Sequence, residues 1–467
     1  LIESAAMPNT EQNLPDGPLV AWYGDDFTGA AAVMEVLSFA GLPATLFLQP
    51  PTQEQLDQFP GIRGIGVAST ARALSPQGMD AELPAAFSKL KALNPAVMHY
   101  KVCSTLDSSP EIGSIGRAIE IGADLFSTQV VPVLIAAPQM RRYQCFGHLF
   151  AGMGDEVFRL DQHPVMSRHP VTPMDESDVA KHLAKQSDRI DTSCISLEML
   201  VNAAPQNLTS QTNAANLIAV VTLDSSDASS ESAAGRLIWE ARDKNPYVVG
   251  SQGVEYALVR HWQEVGLIEP CTPPESIGRT EHIVAVSGSV SPTTAAQIAW
   301  SKDNGFASIE FDAASACGGE DAVERAIERA VHLALEALGQ GLDPLIHTAE
   351  GPDDPAVDTF KAAVAASAFD MPAANQMIGE ALGKTLHRIL MRSGARRAVV
   401  SGGDTSGHAT RQLGIYALSA LAPTIPGAAL FRAHSDGPMD GLELALKGGQ
   451  MGSHDYFGWV RDGGGLR

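Results

Sequence analysis

The stretch 398–410, Ala-Val-Val-Ser-Gly-Gly-Asp-Thr-Ser-Gly-His-Ala-Thr, constrains this chain more than any other. The β-branched pair Val399 and Val400 ends in Gly402 and Gly403, followed by an acid, two hydroxyls and Gly407. This order fits a short buried strand that turns straight into a helix, the unit from which α/β sheets are built. Gly402, Gly403 and Gly407 have no Cβ, so the backbone there can come close to an anion. The free N–H groups and positive dipole end of the following helix favour the same negative charge. Thr405 and Ser406 add hydroxyl donors, and Asp404 could serve a metal or a ribose. The spacing matches neither the Walker A loop nor the dinucleotide fingerprint. The turn is therefore a phosphate-site candidate, with an ordinary tight turn as the alternative.

The same grammar recurs along the chain. Leu19–Tyr23 reads as a strand, Gly24–Ala30 as an acidic turn, and Ala31–Ala40 as a helix closed by Gly41. Strands are expected at Ala44–Leu48, Gly64–Ala68, Val97–Tyr100 and Val130–Ala136, with a helix around Ala81–Leu93. Open parallel sheets bind ligands at the C-terminal ends of their strands. Asp25, Asp26, Arg72 and Lys101 all fall there, so they are expected to converge although far apart in sequence. Residues 160–215 are rich in Pro, Asp, Ser, Gln and Asn around a helix near Ser177–Gln186. Further strands are expected at Ile218–Leu223 and Tyr247–Val249. Glu269–Arg279, with three prolines, is the linker candidate. A second unit follows, with strands at His282–Val286, Ala307–Phe311 and Pro344–His347. Its helices are expected at Thr293–Asn304, 321–339 and Asn375–Ser393. The methionines of 371–391 sit at helical spacing and read as core. The expected fold class is α/β, with two domains, each a mainly parallel sheet flanked by helices, and the site in the cleft between them.

Composition narrows the partners. Fifty-four acids stand against 32 lysines and arginines, a net charge of −22. That balance disfavours nucleic acid and anionic membranes, which want a basic surface. The five cysteines are widely spaced without a CxxC pair, so no zinc site or disulfide framework is indicated and a reducing cytoplasm fits. The irregularly spaced His99, His148, His163 and His169 give no metal site. No apolar run approaches the roughly 18 residues that suggest a membrane span. Residues 1–17 read as a cloning remnant and a disordered lead-in, 18–268 as one domain, and 280–467 as another.

Taken in order, these motifs resemble the four-carbon acid sugar kinase family. Gly24-Asp25-Asp26-Phe27-Thr28-Gly29-Ala30 is similar to its Asp-Asp-x-Thr-Gly-Ala signature. Ser69-Thr70-Ala71-Arg72 resembles its Ser/Thr-Arg turn, and Lys101 with Ser104 and Thr105 its Lys-x-x-Ser-Thr motif. His169–Met174, Gly250–Gly253, Ser287–Ser289, Gly402–Gly407 and Lys447–Gly452 match further family elements. Each match is weak, but the ordered set over about 430 residues is specific. Two departures fall on the substrate side. Family members commonly continue Ser-Thr with Leu-Arg-Gly-Asn, whereas Thr105 is followed here by Leu106-Asp107-Ser108-Ser109. Arg141–His148 replaces a stretch that usually reads Gly-Arg-Thr. The Lys-Val-Cys-Ser-Thr variant is similar to members acting on branched acids such as 3-oxo-isoapionate.

The resemblance implies an N-terminal domain for a small sugar acid, a C-terminal domain for ATP, and phosphoryl transfer to a substrate hydroxyl. Mg²⁺ is implied with ATP, because charge must be neutralised across the phosphates. Asp26 is expected as base, Asp25 as orienter and Lys101 as a point charge. Arg72, Ser104, Thr105 and Arg141 are expected at the substrate, with the Arg72 fork gripping its carboxylate. Ser287, Ser289, Gly402, Gly403, Asp404, Thr405 and Gly449 are expected around the nucleotide. Closure about 269–279 would exclude water. An aldolase or isomerase acting on a phosphorylated sugar acid is the alternative; a non-catalytic sensor fits the retained acids less well. Homodimerisation is left open.

Overall fold

The computed structural model describes residues 13–208 and 217–467, the side chain of Asp404 excepted. Most of the expected lead-in and the end of the polar 160–215 segment lie outside the described residues.

One 15-stranded sheet runs through the molecule. Its N-terminal block is parallel, in the order Ala44–Phe47, Gly64–Ala68, Val20–Gly24, Val97–Lys101, Tyr247–Gly250, Val130–Leu134, Ile218–Leu223 and Ile190–Ile195. The C-terminal block is also parallel, in the order Phe306–Glu310, Asp343–His347, Val284–Ser287, Arg397–Ser401 and Glu443–Lys447. Two antiparallel strands, Leu430–Ser435 and Ile415–Ala422, join the blocks, and Ala417 pairs with Phe47 at the junction. The two sheets expected from sequence are thus one. Ala44–Phe47 is buried, and its outer backbone groups need partners that Ile415–Ala422 supplies. Three successive antiparallel pairings reverse direction, so the two parallel blocks run opposite ways.

Helices cover both faces of the N-terminal block, which is why Val20–Gly24 and Val97–Lys101 are buried throughout instead of alternating. The helix Phe27–Phe39 buries Ala30, Ala31, Val33, Met34 and Leu37. Trp22 reaches it from below and donates Nε1–H to the Ala30 carbonyl at 3.0 Å. A Cβ at Gly66 would stand 2.1 Å from the Trp22 ring, so the strand Gly64–Ala68 carries glycine to seat the indole. Two helices begin earlier than expected, each at a capping side chain. Ser75 Oγ accepts from Gly78 N ahead of Pro76–Ala92, and Asp370 from Ala373 N ahead of Met371–Ser393.

Met377 packs against the core, but Met371 and Met391 are 39% and 51% exposed, so the methionines of this helix do not form the continuous core stripe expected of them. The buried face is instead built by Ile378, Leu382, Leu386 and Ile389. An antiparallel sheet of Arg142–Cys145, His148–Met153 and Glu156–Arg159 stands beside the N-terminal block.

The blocks are tied by more than the linker. Residues 269–279 carry no helix or strand. Ile277 N donates to Gly463 O at 3.0 Å, and Ser276 Oγ to Asp462 O at 2.9 Å. Buried Glu35 accepts from the Gly427 and Ala429 N–H groups, both at 2.9 Å, and so fastens the first helix to a loop of the C-terminal half.

Candidate active site

The N-terminal turn is held at its base by backbone. Asp25 N donates to Lys101 O at 2.9 Å, and Arg72 N to Asp25 O at 3.0 Å. Three strand ends therefore meet, and their side chains follow. Arg72 Nε and Nη2 donate to Asp25 at 3.2 and 2.8 Å, while Nη2 also reaches Asp26 Oδ1 at 2.9 Å. The convergence of Asp25, Asp26 and Arg72 matches the expectation, but the Arg72 fork grips Asp25 and is not free to clasp a substrate carboxylate.

The two acids differ. Asp25 is buried; burial pushes its carboxyl up against the pull of Arg72, and the Asp26 charge adds to the push. Asp26 keeps 29% of its side chain exposed and caps the Phe27–Phe39 helix through Gly29 N at 3.1 Å. Burial would raise its pKa too, but Arg72, Lys101 and the Gly29 N–H outweigh this and hold it below the usual range. Both hydrogen bonds to Asp26 fall on Oδ1. Among the described residues, Oδ2 accepts no hydrogen bond.

Lys101 is buried and donates to Val102 O at 2.6 Å. A Cβ on Gly29 would stand 2.5 Å from its Nζ and 2.4 Å from Asp26 Oδ1, so that glycine lets the ammonium and the carboxylate share one corner. Thr105 donates to Asp107 Oδ1 at 2.8 Å, and its hydroxyl lies 2.9 Å from Cys103 Sγ. Burial, then the Asp107 charge, pushes the Cys103 thiol up to about 11, so it stands here as a neutral S–H. Ser104 is buried beside them.

Arg141 does not join this group. Its guanidinium is spent on the carbonyls of Gly154 and Glu156. The next residue, Arg142, is held below its usual range by burial, with Asp107 pulling the other way, and its Nη1 donates to the carbonyls of Met140, Arg141 and Gly152. Arg142 Nε is buried without a hydrogen-bond partner, a donor in want of an acceptor.

The C-terminal turn builds a different surface. Gly288, Ser289, Gly402, Gly403, Thr405 and Gly449 line one end of a cavity of about 350 Å³. Its far end is lined by less polar groups, among them Ala313, Ala349, Val357, Phe360 and Ile378, none of them anticipated from sequence. A Cβ on Gly449 would lie 2.2 Å from Ser289 Oγ, and one on Gly288 2.3 Å from Thr405 Oγ1. Here glycine is needed for close approach. Gly402, at φ 124°, starts the helix Gly403–Gln412 without any side-chain cap. Ser287 accepts from Ser289 N at 3.3 Å, and Thr294 Oγ1 donates to Ser289 Oγ at 3.0 Å. Gly407 lies inside the helix with nothing within 4 Å of where a Cβ would stand, so it takes no part in the cradle. The Asp404 side chain lies outside the described residues.

Lys447, which sequence reasoning passed over, sits beneath this cradle. It is fully buried, donates to Gly448 O at 3.2 Å, and has no carboxylate partner among the described residues. Burial lowers its pKa to about 7. The signal was available: a strand ending in lysine before a glycine pair.

The two turns approach one another. A Cβ on Gly427 would have Thr28 Cγ2 at 3.5 Å on one side and Met451 Cε at 3.7 Å on the other. Thr28 belongs to the acidic turn and Met451 follows Gly449, so the loop at Gly427 lies against both turns.

A site of this kind defines a protein that brings a small polar molecule to a phosphate-bearing one. Residues 20–258 match the model of a sugar-binding N-terminal domain, and 284–457 that of a nucleotide-binding C-terminal domain. The chain belongs to the four-carbon acid sugar kinase family. A 3-oxo-isoapionate kinase from Paraburkholderia graminis is 44% identical over 452 residues, covering 96% of this chain and 95% of its own. A 3-oxo-tetronate kinase from Cupriavidus necator is 27% identical over 454 residues, covering 96% and 98%. A crystal structure from Salmonella typhimurium LT2 has the same fold, with a TM-score of 0.76 at 24% identity, covering 95% of this chain and 98% of that one. Among the described residues no helix is long and apolar enough to cross a membrane.

Proposed function

We propose that this sugar-acid kinase transfers the terminal phosphoryl group of ATP to a hydroxyl of a 3-oxo sugar acid of the isoapionate type. The likeness to the Paraburkholderia graminis enzyme supports that choice over a linear tetronate. The observation that carries the mechanism is Asp26 Oδ2, without a hydrogen-bond donor among the described residues and held in a corner made cationic by Arg72 and Lys101.

Asp26 orients the attacking hydroxyl and receives its proton. A carboxylate held low in pKa is a weak base, and phosphoryl transfer asks little more, because catalysis rests on positioning and charge stabilisation. Asp25 fixes Arg72, and Arg72 fixes Asp26. With that fork committed, the substrate carboxylate falls to Lys101. Ser104 and Thr105 lie beside that pocket.

On the other side, the N–H groups of Gly403 and Asp404 and the hydroxyls of Ser289 and Thr405 hold phosphate oxygens, while the expected Gly402 N–H is taken by Lys447 O at 2.9 Å. The apolar end of the cavity takes the base. An Mg²⁺ ion entering with the nucleotide would meet the hydroxyls of Ser289 and Thr405 in the described lining. When bound, Mg²⁺ neutralises charge across the phosphates.

The test is ADP release with Mg-ATP against 3-oxo-isoapionate, 3-oxo-tetronates, threonate and erythronate. Turnover led by 3-oxo-isoapionate is expected. Equal or better turnover with a linear acid would reassign the substrate.

A further inference from the structure

The Arg72 guanidinium has one arm left over. Nε and Nη2 are committed to Asp25 and Asp26, whereas Nη1 has no hydrogen-bond partner among the described residues. Asp107 Oδ2 lies 3.7 Å from it, an ion-pair distance but too far for a hydrogen bond. Asp107 Oδ1 already accepts from Thr105, and Oδ2 has no described donor. A donor arm and an acceptor oxygen, neither hydrogen-bonded among the described residues, therefore stand side by side next to the Asp25–Asp26 turn.

We propose that Arg72 and Asp107 together read one hydroxyl of the sugar acid, and that Asp107 is the residue that makes the enzyme demand it. This rests on the kinase reading above. A hydroxyl is the small group that both accepts and donates, so it satisfies Nη1 and Oδ2 together. A carboxylate would satisfy only the arginine and would be repelled by Asp107. A methylene would leave both groups desolvated and unpaired, which is how a site rejects a deoxy analogue.

Asp107 is held for this task. Its side chain is only 13% exposed. The residue before it, Leu106, is buried with φ at 57°, a left-handed conformation that a leucine adopts only when its surroundings enforce it. Leu106 N donates to Cys103 O at 3.1 Å, and Ser108 Oγ to Leu106 O at 2.8 Å. The Ser108 hydroxyl is itself locked between His182 and Gln186, each at 2.9 Å. The turn aims a carboxylate with no slack, at a place where solvation alone would not require one.

The experiment compares kcat/KM of the wild type, D107A and D107N on the accepted sugar acid and on its monodeoxy analogues. The wild type should prefer the parent acid over one analogue by roughly 10- to 100-fold, the range expected for a charge-assisted hydrogen bond. D107A should shrink that preference to about threefold or less by losing rate on the parent acid alone, since without the carboxylate the hydroxyl gains little. D107N keeps an acceptor for Thr105, so it carries the same comparison if D107A does not fold. An equal loss on every substrate, as a purely structural role would give, or an unchanged preference would overturn the inference. Failure of the wild type to release ADP with any sugar acid would instead overturn the kinase reading.

Discussion

The acidic turn at 24–30 and the glycine turn at 401–407 are built on one plan and finished differently. Gly24 pairs in register with Lys101, and Ser401 with Lys447, each lysine ending the neighbouring parallel strand. The next residue donates its N–H to that lysine's carbonyl, from Asp25 and from Gly402, at 2.9 Å in both. Each lysine is buried and donates to the carbonyl of the residue after it. The following position then decides the chemistry. In the first turn it is Asp26, whose carboxylate caps its own helix. In the second it is Gly403, on a helix with no side-chain cap. One helix end is satisfied from within and offers an acid to a hydroxyl; the other is left open to an anion.

Removing the cation from the first turn should cost most. R72M leaves buried Asp25 without its partner, and breaking such a pair costs about 3–5 kcal/mol. Urea unfolding should show that loss, together with loss of turnover. A change below about 1 kcal/mol, the scale of a surface pair, would mean that Asp25 does not depend on Arg72.

The second turn should answer to steric change instead. In G449A the new methyl meets Ser289 Oγ, and overpacking of about 1–3 kcal/mol predicts a roughly 5- to 150-fold weaker ADP affinity. Sugar-acid binding should not change. Equal weakening of both ligands would show that the cradle and the acid site are not separable.

Lys447 gives the comparison a pH dependence. With its pKa lowered to about 7 by burial, it is charged below that pH and neutral above it. Phosphate attracts the charged form, so wild-type ADP affinity, relative to K447M, should fall between about pH 6 and pH 8.5, by up to tenfold for each pKa unit that phosphate restores to the lysine. Stability runs the other way. Unfolded lysine titrates near about 10.4, so the unfolded chain binds more protons above pH 7 and this residue's contribution to stability grows from about pH 7 to 10. Parallel pH curves for wild type and K447M would remove Lys447 from the phosphate site.

The smallest effect is expected at Gly407. G407A meets no neighbour and should gain roughly 0.5–1 kcal/mol of helix stability. ADP affinity should stay as it is; a loss would return Gly407 to the cradle.

Much of this plan is legible in the sequence because it is local. A short apolar strand ending in Gly-Asp-Asp or Gly-Gly-Asp announces its turn, and parallel topology brings successive strand ends to one edge. What escapes depends on pairing that no local pattern fixes. Ile415–Ala422 and Leu430–Ser435 turn two sheets into one because a buried edge elsewhere needs covering. Arg141 and Arg142 look alike in sequence, and only the hairpin shows that the Arg141 guanidinium is spent on the carbonyls of Gly154 and Glu156. The Arg72 fork looks free in sequence because its partner, Asp25, lies 47 positions away. The apolar end of the cavity is assembled from separate helices and has no motif.

Asp26, and not the cradle, is proposed to handle the substrate hydroxyl. The most direct test measures D26N twice, as acid-dependent ADP formation and as ADP binding by calorimetry. Turnover should fall by about 100-fold or more, the scale of a lost general base, with the ADP dissociation constant unchanged. Turnover within about threefold of the wild type, far less than any general base contributes, would contradict the account.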